Sequence, residues 1–136
     1  MGILAKIIDS VQKRNEERKQ LVNDVIVRFE AEYSEFKEVT IRLSKSDIFD
    51  AASEIRFYET IRDYAVYGDE IDYETASAIN TEKPIAALWN KYLDREALSI
   101  DSCEDIRILF EETFPLTGGD EICSIGEYRE NEASGL

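Results

Sequence analysis

The stretch ILAKIIDSVQKRNEERKQLVNDVIVRFEAEYSEF, residues 3–36, decides the fold. Leu4, Ile8 and Val11, then Val22, Val25, Phe29 and Phe36, recur at spacings that alternate between four and three. That is the period of one helical face, close to a heptad seam. The seam lapses at Asn15 and Arg18, inside the polar run Gln12–Gln20, whose residues nevertheless favour helix. The spacing predicts one long helix over about residues 3–38, with a solvated middle, that either passes through this polar run or bends within it. The Ile3–Val11 face is expected to pack against the rest of the domain, with a contact to a partner protein, or self-association with a second copy, as the alternative.

Further helices follow the same logic. Ser44 and Asp47 have capping-box spacing with Asp in place of Glu, Ser46 is a rival N-cap, and Ile48, Ala51, Ala52, Ile55, Tyr58, Ile61 and Ala65 then keep helical register. Gly68 is expected to end that helix in a positive-φ conformation. Asp72 is a candidate N-cap for a short helix reaching Ile79. Pro84 sits where an early helical position tolerates a missing N–H, and Ile85, Leu88, Trp89, Tyr92 and Leu93 form an apolar face behind it. Ser102 with Asp105 starts a last helix carrying Ile106, Leu109, Phe110 and Phe114, and Pro115 stops it. Val39, Ile41 and Leu43 alternate, but a lone strand has no partner, so this segment is expected to be loop or helix end. The expectation is an all-α bundle of four or five helices in one domain over residues 1–116. Residues 117–136 read as an acidic flexible tail.

Composition narrows the function. The 136 residues contain no histidine and two cysteines. Histidine is the commonest general base and transition-metal ligand, so a Ser–His or Cys–His nucleophile cannot be built within the chain. Two distant cysteines do not make a zinc site, and Cys103 and Cys123 are expected to stay reduced. The N-terminus lacks a secretory signal's layout, and Lys6 breaks the myristoylation pattern. A cytoplasmic protein without a membrane partner or cofactor is expected.

Net charge is −14 and unevenly spread. Residues 1–66 balance 11 Lys/Arg against 13 Asp/Glu, while residues 67–136 set 5 against 17. The run Tyr67–Glu74 concentrates Asp69, Glu70, Asp72 and Glu74. It does not match a calcium loop, because Ile71, Tyr73 and Glu74 stand where ligands and glycine are required. The pairs Glu104–Asp105 and Glu111–Glu112 lie at helix ends or off the apolar stripe, where a carboxylate stays solvated rather than tuned for acid–base work. Tyr64, Tyr67 and Tyr73 stand among the carboxylates, and tyrosine supplies apolar area with a polar tip at interfaces. These seven residues are the candidate partner-binding set.

Four runs carry a resemblance: DIFDAASEIRFYETIR (47–62), IDYETASAI (71–79), PIAALWNKY (84–92) and SCEDIRILFEE (102–112). Together they resemble a family of small proteins, without assigned function, encoded on bacterial conjugative and integrative elements. The likeness spans about residues 30–114 and consists of helix-packing patterns. The chain departs from it in the polar turn Asn80–Lys83 and in its extended first helix. The resemblance implies a bacterial accessory protein of a mobile element. With the charge, it suggests a non-catalytic, possible anti-defence module that binds a basic protein such as a nuclease, by imitating nucleic acid. An immunity protein against one basic toxin, or a purely structural accessory, are the alternatives; a small enzyme using carboxylate-held Mg²⁺ is a further class. Because phosphate binding needs clustered Lys/Arg, the protein should not retard DNA or RNA at physiological salt. A micromolar gel shift on either would contradict the acidic-module reading.

Overall fold

The computed structural model describes residues 2–116. The expected tail, 117–136, with Cys123, lies outside the described residues. Among those described there is no strand, and the helices are α1 (Ile3–Thr40), α2 (Lys45–Asp50), α3 (Ala52–Arg62), α4 (Tyr73–Ala78), α5 (Pro84–Leu93) and α6 (Cys103–Thr113). A π-helical turn, Asp63–Tyr67, extends α3. The all-α class is as expected, with six helices rather than four or five.

The extra element comes from dividing the helix expected from Asp47 to Ala65. At Ala51 the backbone leaves helical geometry (φ −92°, ψ 9°), and its N–H is shared between the carbonyls of Asp47 and Ile48. Three N-caps are where the sequence puts them. Ser44 Oγ accepts from Asp47 N at 3.1 Å, Asp72 Oδ1 from Thr75 N at 2.8 Å, and Ser102 Oγ from Asp105 N at 3.2 Å. Each satisfies a backbone donor that the first helical turn would otherwise leave open.

The C-terminal half of α1 is the spine. Val25, Phe29 and Tyr33 are buried against Phe57, Tyr58, Ile61, Ile85, Leu88, Ile106, Leu109 and Phe110. The core is strongly aromatic: Phe36 stacks on Tyr58 with ring centroids 3.9 Å apart, and Phe29 lies 5.8 Å from Phe110. Trp89 is only half-buried, 5.1 Å from Phe57, and Leu93 is exposed, so the expected face of α5 is narrower than its apolar residues. Glu32 is the one buried charged residue among those described. Its Oε1 accepts from Ile85 N at 2.6 Å and its Oε2 from Ala86 N at 2.8 Å. α5 begins with Pro84, which brings no N–H, so one carboxylate from α1 satisfies the next two donors of α5. Burial pushes the Glu32 carboxyl above the ordinary carboxylate range, and the two backbone donors and nearby Lys83 pull it back.

The N-terminal half of α1 is different. No residue from Ile3 to Gln20 is buried. The expectation that the Ile3–Val11 face packs on the domain is therefore wrong. The seam turns polar at Asn15 and Arg18, and α1 leaves the body there: the Arg18 guanidinium lies 4.7 Å above the Tyr73 ring, and packing begins at Leu21 and Val22.

Glu32→Ala would strand one buried and one half-buried N–H group at the start of α5, at a cost on the order of 3 kcal/mol. The denaturation midpoint, followed by Trp89 fluorescence, should fall accordingly. Ala replacement of the exposed Glu38 should shift it by less than about 0.5 kcal/mol.

Candidate functional site

A cleft of about 580 Å³ opens between α6 and the segment that joins the π-turn to α4. Its geometry starts at Gly68. A β-carbon there would lie 2.6 Å from the carbonyl oxygen of Tyr64, so only glycine lets the π-turn close on itself. Gly68 has φ −83°; the positive φ expected of it belongs instead to Asp69, at 56°. Aspartate tolerates this left-handed conformation better than most residues. The chain then reverses, buries Ile71, and caps α4 with Asp72.

The floor is apolar and comes from Ile71, Phe110 and Phe114, with Leu116 at one edge. The Tyr64 ring leans on Phe110, with centroids 5.2 Å apart at 38°. Burial, helped by Glu70, pushes the Tyr64 hydroxyl up to about 12, so it remains a neutral donor at physiological pH. The rim holds Glu70, Asp72, Glu74 and Glu111 against a single cation, Arg107. That guanidinium is already shared, bonding Glu104 and, at 2.8 Å, Glu111. The rim therefore keeps an excess of negative charge around a hydrophobic base.

Four of the seven sequence-derived candidates meet here: Tyr64, Glu70, Asp72 and Glu74. The other three do not. Asp69 is spent on the reversal. Tyr67 is 70% exposed and stands under Arg62, which also stacks 4.2 Å from Tyr33 and pairs with Glu30 and Asp63. Tyr73 faces α1 through Arg18. The single tyrosine-bearing acidic face expected from sequence is thus split three ways by the π-turn and by α4. Phe110, Phe114 and Glu111, placed by sequence only on the last helix, turn out to be the far wall.

Glu104, Glu111 and Glu112 are exposed, as expected for solvated carboxylates, whereas Asp105 is half-buried and its Oδ2 accepts from Ser99 N at 2.9 Å. No group of three His, Cys, Asp or Glu able to hold a metal ion occurs among the described residues. A larger concavity, about 900 Å³, follows the polar side of α1 from Lys6 to Lys19, but one helix alone lines it, and nothing walls the opposite side. No helix among the described residues is long and apolar enough to cross a membrane. Compared with protein-family models, curated proteins and solved structures, the chain matches none.

Tyr58 and Tyr64 both have hydroxyls pushed up to about 12 from an ordinary 10. A raised folded-state value means stability that is complete below pH 10 and is lost as pH climbs toward 12. Denaturation midpoints measured across that window should fall, and Tyr64→Phe should flatten the fall. An unchanged slope in Tyr64→Phe would place the hydroxyl in solvent instead.

Proposed function

We propose that the protein is a non-catalytic interaction module whose cleft takes a basic, apolar-anchored segment of a partner protein. The observation that carries this is the pairing of an apolar floor (Ile71, Phe110, Phe114) with a rim of four carboxylates and one cation already engaged. A Leu or Phe side chain entering the floor loses contact with water. Flanking Lys or Arg side chains then meet Glu70, Glu74 and Glu111 in a setting where charge guides encounter more than it adds affinity. The volume lies within the usual range for bounded binding sites, roughly 300–1,000 Å³.

Of the partners considered from sequence, a basic toxin or nuclease with such a segment fits this geometry. Imitation of nucleic acid by a long track of carboxylates fits it less well, since a phosphate backbone offers nothing that needs an apolar floor. A bounded cleft favours recognition of one cognate segment, which gives weight to the immunity-type reading. The mobile-element setting suggested by the sequence resemblance is compatible with both.

The test uses short peptides carrying Leu or Phe between Lys or Arg residues, with Asp-flanked versions as controls. Binding should be selective for the basic set, and its on-rate should fall as salt screens charges beyond about 8 Å. Replacing Glu70 and Glu74 by Gln should weaken binding by about 5- to 10-fold and reduce the salt dependence. Asp72→Asn keeps the α4 cap, so any effect it has reports charge alone. Phe114→Ala should weaken binding without changing the salt dependence. Equal affinity for basic and Asp-flanked peptides would refute the proposal.

A further inference from the structure

Ile3, Leu4, Ile7, Ile8 and Val11 are between 45% and 76% exposed, and they share one side of the N-terminal stretch of α1, where no residue is buried. Glu17 and everything before it project beyond the body, a span of about 22 Å at 1.5 Å per residue. A helix gains most of its stability from packing an amphipathic face, and a short isolated one is marginal in water. The arm therefore calls for a surface to cover it.

We propose that this surface is the same arm of a second copy, with the two arms antiparallel. The reading is independent of what the cleft binds.

Area supports pairing. Each of the five side chains leaves on the order of 100 Å² to be covered, so two arms together hide roughly 1,000 Å². That reaches the roughly 1,000 Å² that a biological interface should clear, and the alkyl stems of flanking Lys and Arg add to it.

Charge selects the occupant. Residues 3–17 carry Lys6, Lys13 and Arg14 against Asp9, Glu16 and Glu17, a balance of zero. An anionic lipid surface would favour a polar side rich in Lys and Arg, with aromatics on the apolar side, and this arm has neither. A neutral arm of mixed charge can lie against its own copy without repulsion.

Charge also selects the direction. Residues 18–116 contain 12 Lys/Arg and 22 Asp/Glu, a balance of −10. Parallel arms would set two such bodies side by side and bring Arg14 toward Lys19 of the partner across the seam. Antiparallel arms put Ile8 opposite Val11 and leave Asn15 at the wet end of the contact, opposite Leu4. The bodies then lie about 20 Å apart, more than two screening lengths at physiological salt.

The experiment is sedimentation equilibrium on the full chain, with small-angle scattering to set the direction of the pair. We expect a dimer at micromolar concentrations, with an elongated profile of two masses separated by a thin waist. Ile8→Glu should weaken it by ~100-fold or more, since a carboxylate would be buried at the seam. Its denaturation midpoint, read at Trp89, should match the parent protein, because Ile8 contacts nothing in the body; this separates lost pairing from lost folding. A parent protein that stays monomeric at high micromolar concentration overturns the proposal. So does an Ile8→Glu variant that still dimerises. Co-sedimentation of the parent with vesicles of anionic phospholipid, abolished by Ile8→Glu, would assign the face to a lipid surface instead. A compact scattering profile would overturn the antiparallel arrangement.

Discussion

The placement of α5 on α1 depends on the carboxylate of Glu32. A helix that opens on proline arrives with one missing donor and two more that its own chain cannot satisfy. Glu32, one turn along α1 from Phe29, supplies both oxygens to Ile85 and Ala86. The contact is expensive in desolvation, as the upward push on its carboxyl shows. It is tolerable because two charge-assisted hydrogen bonds and the positive end of α5 replace the lost water. The consequence is geometric. Fixing the start of α5 against α1 sets where Leu88 and Ile85 enter the core, and α6 then packs on α5 through Leu109 and Phe110. The far wall of the cleft is therefore positioned in part by a contact whose residues do not line it.

The near wall has a separate origin. The π-turn at Asp63–Tyr67 and the glycine that follows it let the chain double back over Tyr64. A π-bulge inserts residues without ending the helix, and such insertions recur at functional sites. Here it turns Tyr64 inward toward Phe110 and Tyr67 outward toward Arg62. Two tyrosines three residues apart, which an ordinary helix would hold on one face, end up doing different work.

This is also where the sequence stopped being legible. Helix starts were plain, because Ser44, Asp72, Ser102 and Pro84 announce themselves by local hydrogen-bonding chemistry that does not depend on the rest of the fold. The apolar stripes of α1 and α6 were plain for the same reason: period is a local property. The π-turn is not local, since its side-chain pattern over a single turn does not differ from that of an α-helix. Nor did Ala51 signal the break between α2 and α3. Glu32 was half-visible: the four-and-three spacing that joins Phe29 to Phe36 leaves a seam position at residue 32, and a charged residue there asks for a partner. The acidic run at Asp69–Glu74 was found, but Phe110 and Phe114, which with Ile71 make the apolar floor, lie more than thirty residues away.

The distribution of charge fits this division of labour. The ion pairs of the body are mostly exposed, such as Arg42–Glu38, Arg56–Asp101 and Lys83–Glu35, and exposed pairs add little stability. A balance of −10 over residues 18–116 instead works against compaction. What offsets it is the aromatic core, with Phe29, Phe36, Phe57, Tyr58 and Phe110 stacked or tilted against one another. Negative charge on such a body is therefore not explained by the fold it decorates. The arm makes the same point from the other direction. Its charges cancel over residues 3–17, a stretch that, among the described residues, has no core beneath it and carries five exposed aliphatic side chains. Among the described residues, negative charge gathers at the rim of the cleft and cancels along the bare apolar face of α1, so the two surfaces differ in chemistry.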